Sequence, residues 1–211
     1  SNTSVATINS NGLVTGVAAG TTTITYTNSN NCSITTTVTV NGGVGVSAGT
    51  DLSVCSGTLV TLSGTGASSY SWDNGVTNGT AFTPTATATY TVTGTDGYGC
   101  VTTDDVVVTV NALPSVSAGN DEAICDGDQI TLSGSGASTY SWSGGVTNGT
   151  AFTPGSTATY TVTGTDGNGC VKTDQVTITV NTLPTVSAGS DQTVCAGEQV
   201  TLSGSGANSY S

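Results

Sequence analysis

Val46-Ser-Ala-Gly-Thr-Asp51 returns as Val116-Ser-Ala-Gly-Asn-Asp121 and once more as Val186-Ser-Ala-Gly-Ser-Asp191. Outward from this stretch the same correspondence holds. Cys55 maps to Cys125 and Cys195, Trp72 to Trp142, Cys100 to Cys170, and Pro114 to Pro184. The period is 70 residues, and the two full copies agree at about 49 of 70 positions, which marks a tandem repeat protein. The expected division is 1–41, the C-terminal part of one domain; 42–114, a first full repeat; 115–184, a second; and 185–211, the start of a third. Residues 1–41 end in register with the repeats. Asn31-Cys32-Ser33 followed by Thr35–Asn41 parallels Gly99-Cys100-Val101 followed by Val106–Asn111. This reading puts both ends inside domains of a longer protein, or leaves open sheets that neighbouring chains complete by strand addition.

Each repeat reads as strands and turns. Gln129–Gly134, Ala158–Thr163 and Gln175–Val180 alternate apolar and polar, so each is expected to have one face in a core and one in water. Asn148-Gly149, Gly144-Gly145 and Asp166–Gly169 mark turns. Several short strands at this spacing predict an all-β fold: tandem Ig-like β-sandwich domains in an extended array. Threonine on the wet faces supplies strand propensity without exposing large apolar groups. A 70-residue domain is near the lower size limit for a self-sufficient core, so Trp72 or Trp142, with Tyr70 or Tyr140 and Tyr90 or Tyr160, is expected to fill its centre.

Composition narrows the function classes. Of 211 residues one is Lys or Arg, none is His, and 13 are acidic, giving a formal net charge of −12. One cation cannot displace phosphate counterions, so no nucleic-acid partner is expected. Histidine catalysis and histidine metal sites are excluded by inventory. No apolar run approaches the roughly 20 residues of a membrane span, so no insertion of this segment in a membrane is expected.

The six cysteines imply an oxidising, extracellular compartment. The expected disulfides lie within repeats, Cys55–Cys100 and Cys125–Cys170, each closing about 45 residues and contributing roughly 4 kcal/mol through the unfolded state. Cys32 and Cys195 are then left for partners elsewhere. The competing pairing, Cys32–Cys55, Cys100–Cys125 and Cys170–Cys195, uses all six but asks for contacts across a strand, a linker and part of another strand, beyond disulfide reach.

Carboxylates offer the remaining chemistry. The pairs Asp104 with Asp105 and Asp126 with Asp128 fit glycosidase geometry in kind but do not recur between copies, so no enzyme activity is expected. Asp51, Asp121 and Asp191 recur at the start of each unit, Asp96 and Asp166 in the turn before the second cysteine, and Asp104 and Asp174 after it. Such hard oxygen ligands could hold Ca2+ at domain junctions. The competing role is turn capping through the backbone. Asn2, Asn31, Asn78 and Asn148 fall in N-glycosylation triplets, though Asn78-Gly79 and Asn148-Gly149 already suit turns. The linkers Asn111–Pro114 and Asn181–Pro184 end in proline, which extends the preceding Leu113 and Leu183 and is expected to pack them at stiff joints.

Two resemblances cover essentially the whole chain. Ser1–Tyr26 resembles the bacterial Ig-like group 2 domain. The 70-residue units are similar to Ig-like and PKD-like repeats of very large Bacteroidota surface proteins, on Cys125-Asp-Gly-Asp-Gln-Ile-Thr-Leu132, Tyr140-Ser-Trp142 and Thr159–Cys170. The resemblance implies export and roles in adhesion, gliding or extracellular filaments. The resulting expectation is a structural stalk or filament segment of a bacterial surface adhesin. Its partners would be neighbouring repeats or identical chains in a fibre, and it would present a distal binding tip. The alternative is that the repeats themselves bind glycan or a partner protein through loops 73–80 and 143–150.

Overall fold

The computed structural model describes residues 2–209; Ser1, Tyr210 and Ser211, at the ends of the first and last expected segments, lie outside the described residues. The chain forms two compact units, Ser1–Ala112 and Leu113–Ser211.

The first unit opens with two hairpins. β1 (Ala6–Ile8) pairs antiparallel with β2 (Val14–Gly16), and the Asn9 carboxamide oxygen accepts from the Asn11 and Leu13 backbone N–H groups to close the turn. β3 (Gly20–Thr27) pairs antiparallel with β4 (Ser33–Val40). Their alternation sorts the residues by face. Thr22 and Ile24 are buried, while Thr21, Thr23, Thr25 and Thr27 face water opposite Thr39, Thr37, Thr35 and Ser33.

The rest of this unit is the first repeat. It contains β5 (Leu52–Cys55), β6 (Val60–Thr61), β7 (Ser69–Trp72), β8 (Ala81–Phe82), β9 (Ala88–Thr95) and β10 (Val101–Asn111). The main sheet has the order β5-β10-β9-β7. β10 runs antiparallel to β9 and parallel to β5, with Leu52 beside Val108 and Cys55 beside Asn111. A second layer holds the β6–β8 pair and the bridge from Ser47 to Thr65. Between the layers sit Ala48, Val60, Leu62, Trp72, Tyr90, Val92, Val106 and Val108, all buried. Trp72 and Tyr90 are the bulky members, as the small domain size requires, and Phe82 packs against Tyr90 with ring centroids 5.3 Å apart and planes tilted by 57°.

The second unit repeats this plan. β11 (Glu122–Cys125), β12 (Ile130–Thr131), β13 (Thr139–Trp142), β14 (Ala151–Phe152), β15 (Ala158–Thr165) and β16 (Val171–Asn181) build a sheet of order β11-β16-β15-β13 faced by β12–β14. Ser143–Gly145 adds one 3₁₀ turn where the first repeat has Asp73-Asn-Gly75. Ala118, Ile130, Leu132, Trp142, Val162, Val176 and Ile178 form the core. In Ser187–Ser205 an isolated bridge matches Ser47–Thr65 and Ser117–Ser135, so residues 185–209 begin the same plan a third time.

Three expectations are corrected. The strand expected over Gln129–Gly134 is only Ile130–Thr131, because the next backbone donors go elsewhere: Gly134 N–H binds the Asn148 side chain and Ser135 bridges Ser117. Leu113 and Leu183, expected to pack at the joints, are 42% and 60% exposed. The within-repeat disulfides are absent. Cys55 and Cys170 are disulfide-bonded, whereas Cys100 and Cys125 carry free thiols, as do Cys32 and Cys195. The parallel pairing of β5 with β10 explains this. Cys55 lies beside Asn111, at one end of β10, and Cys100 precedes Val101 at the other. Ten extended steps separate those ends by about 33 Å, against the 4–7 Å or so between Cα atoms that a disulfide spans. β11 and β16 place Cys125 and Cys170 at opposite ends in the same way.

Candidate functional site

The repeated polar residues fall into four clusters in each repeat, and each cluster binds backbone or core. Asn78 and Asn148 form the first. The carboxamide oxygen of Asn78 accepts from Trp72 Nε1 at 2.9 Å and from Gly64 N–H at 2.7 Å. Asn148 does the same for Trp142, at 2.9 Å, and Gly134, at 2.8 Å. The following glycine continues the clamp, since Gly79 N–H donates to Leu62 and Gly149 N–H to Leu132. Loops 73–80 and 143–150 are therefore tied to the core. Asp73 accepts from Thr91 N–H at 3.0 Å, and Ser143 from Thr161 N–H at 2.9 Å.

The second cluster is a tyrosine closing its own turn. The Tyr70 hydroxyl accepts from Ala67 N–H and donates to Ala67 C=O, at 2.8 and 2.7 Å; Tyr140 does the same at Ala137. The neighbouring turn needs glycine. Gly136 has φ +84°, and a Cβ there would lie 1.9 Å from the Ser115 carbonyl oxygen.

The third cluster contains the aspartates that sequence marks as calcium candidates. Asp51 accepts from Val107 N–H at 2.9 Å, and Asp121 from Thr177 N–H at 2.8 Å. Asp104 and Asp174 accept from Ala48 and Ala118 N–H at 2.9 and 2.8 Å. These bonds fasten the arriving chain to the last strand of each repeat. The Ala118 N–H bond, helped by the Gln175 N–H and the Lys172 charge, holds the Asp174 carboxyl below its usual range; partial desolvation opposes this. Asp191 is exposed. Among the described residues no three His, Cys, Asp or Glu side chains converge on one point. Of the acid pairs, Asp128 accepts from Cys125 N–H at 3.1 Å, while Asp105 and Asp126 are exposed.

The fourth cluster is the hairpin turn before the second cysteine. Asp96 accepts from Tyr98 and Cys100 N–H at 2.8 and 2.9 Å, and Asp166 accepts from Asn168 and Cys170 N–H, both at 2.8 Å. Asn28 plays that part for Asn30 and Cys32, at 2.9 Å each. This is the capping role that competes with calcium binding in the sequence reading. The Trp–Asn clamp was not anticipated from sequence, although an Asn six residues after Trp in both copies is its visible trace. Surface concavities among the described residues include one of about 400 Å³ at Tyr26–Asn28 and Cys32–Ile34, beside the Asn28-capped turn, and two of about 360 and 410 Å³ along residues 186–209.

These geometries define a class: tandem Ig-like β-sandwiches whose recurring polar side chains brace the fold. Residues 1–40 match the family model of the bacterial Ig-like domain (group 2). Extracellular domains 3–5 of Drosophila OTK resemble the chain at 14% identity, over 85% of this chain and 79% of that one, with a TM-score of 0.36. The insect immune protein hemolin does so at 15% identity over 84% of this chain and 62% of that one, TM-score 0.36. The N-terminal eight Ig domains of Down syndrome cell adhesion molecule do so at 17% identity over 80% and 33%, TM-score 0.30. At these values the fold assignment rests on the strand pairings above. No curated protein matches the chain. Among the described residues no helix is long and apolar enough to cross a membrane.

Proposed function

We propose that this chain is a load-bearing spacer of an extracellular bacterial surface protein, a stalk or filament segment that presents a binding domain carried elsewhere. The observation that carries the reading is the pairing of the first main-sheet strand of each repeat with the last. β5 lies parallel to β10 over Leu52–Cys55 and Val108–Asn111, and β11 to β16 over Glu122–Cys125 and Ile178–Asn181. Tension entering through the first strand and leaving through the last loads this ladder in shear. Its hydrogen bonds, which lie across the strands, must then fail together rather than one at a time. The aspartate bonds to Val107 and Thr177 add to the same seam.

Three further features support the reading. The match of residues 1–40 to a bacterial Ig-like family and the disulfide-bonded Cys55 and Cys170 suit a bacterial exterior. The chain has one Lys and no Arg, which leaves a trypsin-like protease almost nothing to cut. The loops considered as binding sites are bonded to the core, and loop 143–150 carries no aromatic side chain for a sugar to stack on. Calcium at Asp51, Asp96, Asp121, Asp166 or Asp191 is not needed for this role. The test is a glycan and protein-partner screen with the full chain. A spacer gives no saturable binding. Saturable binding lost on changing Val146 or Thr147 in loop 143–150 would replace the spacer with a binding module.

A further inference from the structure

An asparagine followed by glycine is prone to lose its side-chain amide, because a residue without Cβ leaves its backbone nitrogen open to attack the preceding carboxamide carbon. The two full repeats hold four such steps: Asn74-Gly75, Asn78-Gly79, Asn148-Gly149 and Asn168-Gly169. All four asparagines are exposed, so access to water does not tell them apart.

Hydrogen bonds do. The reaction needs a mobile carboxamide and a glycine nitrogen free to close on it. At Asn148 both are fixed. Its Oδ1 accepts from Trp142 Nε1 at 2.9 Å and from Gly134 N–H at 2.8 Å, and Gly149 N–H donates to Leu132 C=O at 2.8 Å. Asn78 is held by the same three bonds. Asn74 is held through its amide nitrogen, the group that must leave, which donates to Thr89 C=O at 3.1 Å and to Asp73 Oδ1 at 3.2 Å. Asn168 differs. Among the described residues nothing bonds its carboxamide, and Gly169 N–H donates only within its own turn, to Asp166 C=O at 3.2 Å. The first repeat has Tyr98 at this position, whereas the clamped step recurs in both copies.

The geometry points to Asn168-Gly169 as a self-modification site, converted to aspartate and isoaspartate in the folded protein while the clamp asparagines are preserved. Solvent base removes the Gly169 N–H proton, and that nitrogen bonds to Asn168 Cγ. The Cγ–Nδ2 bond breaks, and the leaving nitrogen takes a proton from water and departs as ammonia. Water then opens the five-membered imide. Addition at Cγ gives aspartate. Addition at the main-chain carbonyl gives isoaspartate, whose backbone runs through the former side chain and is one carbon longer. Either product brings a second carboxylate into a turn where Asp166 already accepts from Asn168 and Cys170 N–H, at 2.8 Å each. The hairpin turn beside disulfide-bonded Cys170 thus gains charge as the protein ages, while the bonds to Trp142 stay intact. The inference stands or falls separately from the spacer reading, since it needs only water and the fold.

The test incubates the full chain in mildly alkaline buffer, with and without urea. Chymotryptic peptide mapping and isoaspartyl methylation then follow each asparagine. In the folded protein Asn168 is expected to convert roughly tenfold or more faster than Asn78 or Asn148, because their hydrogen bonds must break first. In urea the three rates should converge. The Asn168→Gln variant should lose the folded-state product and keep the products at Asn78 and Asn148 in urea. Equal rates in the folded protein, a gap that persists in urea, or no conversion at any of the three until urea is added would overturn the proposal.

Discussion

Asn148 shows how much a single side chain holds in a small sandwich. Its carboxamide oxygen is the acceptor for both the indole N–H of a core tryptophan and the backbone N–H of Gly134. Asn148→Ala removes this acceptor from both donors, the part-buried indole N–H of Trp142 and the more exposed Gly134 N–H. The expected loss is about 2 kcal/mol for the repeat, read by urea unfolding, because an orphaned buried donor costs its desolvation. Asn78→Ala should cost the same in the first repeat, and a near-zero change in both would show the clamp to be ornamental. Asp174 predicts a pH dependence. Its carboxyl is held below the usual range by the Ala118 N–H, so its contribution is present at neutral pH and lost as pH falls through the folded-state value. Asp174→Asn should lower stability at pH 7 and flatten the acid limb of the stability curve. A variant that parallels the parent down through the carboxylate range contradicts this role. Aspartate recurrence was legible in the sequence. Its partner was not, because a backbone N–H 56 residues away leaves no mark in composition or spacing.

At the level of elements, alternation identified β15 and β16, since a strand with one wet face must alternate. The same signal overran at β12, where Leu132 keeps the pattern while the Asn148 side chain has taken over the ladder. Strand direction was the larger omission. Nothing in Glu122–Cys125 says whether it runs parallel or antiparallel to its partner, and that direction decides which end of the repeat holds the cysteine. The within-repeat disulfides were lost for this reason alone. Alkylation checks the correction. Without reductant four cysteines, Cys32, Cys100, Cys125 and Cys195, should label under denaturing conditions, and Cys55 and Cys170 only after reduction. Protection of Cys100 and Cys125 as well, until reduction, would restore the sequence-based expectation.

Across the whole molecule, the two repeats are the same device built twice. The Trp–Asn clamp, the tyrosine-closed turn and the aspartate ties recur 70 residues apart with distances agreeing within about 0.1 Å. Several substitutions between copies fall where the side chain makes no such bond: Tyr98 becomes Asn168, and Leu59 becomes Gln129. Repetition was the most legible feature of the sequence, because self-similarity needs no knowledge of the fold. In the proposed spacer role tension is the demand on the chain, and the parallel first and last strands of each repeat are the part that would meet it. Single-molecule stretching of the full chain under reducing conditions tests this most directly. The account predicts two discrete unfolding events of similar force, each releasing a contour length of up to about 240 Å for 70 residues. Smooth extension at low force, with no paired events of that length, would contradict it.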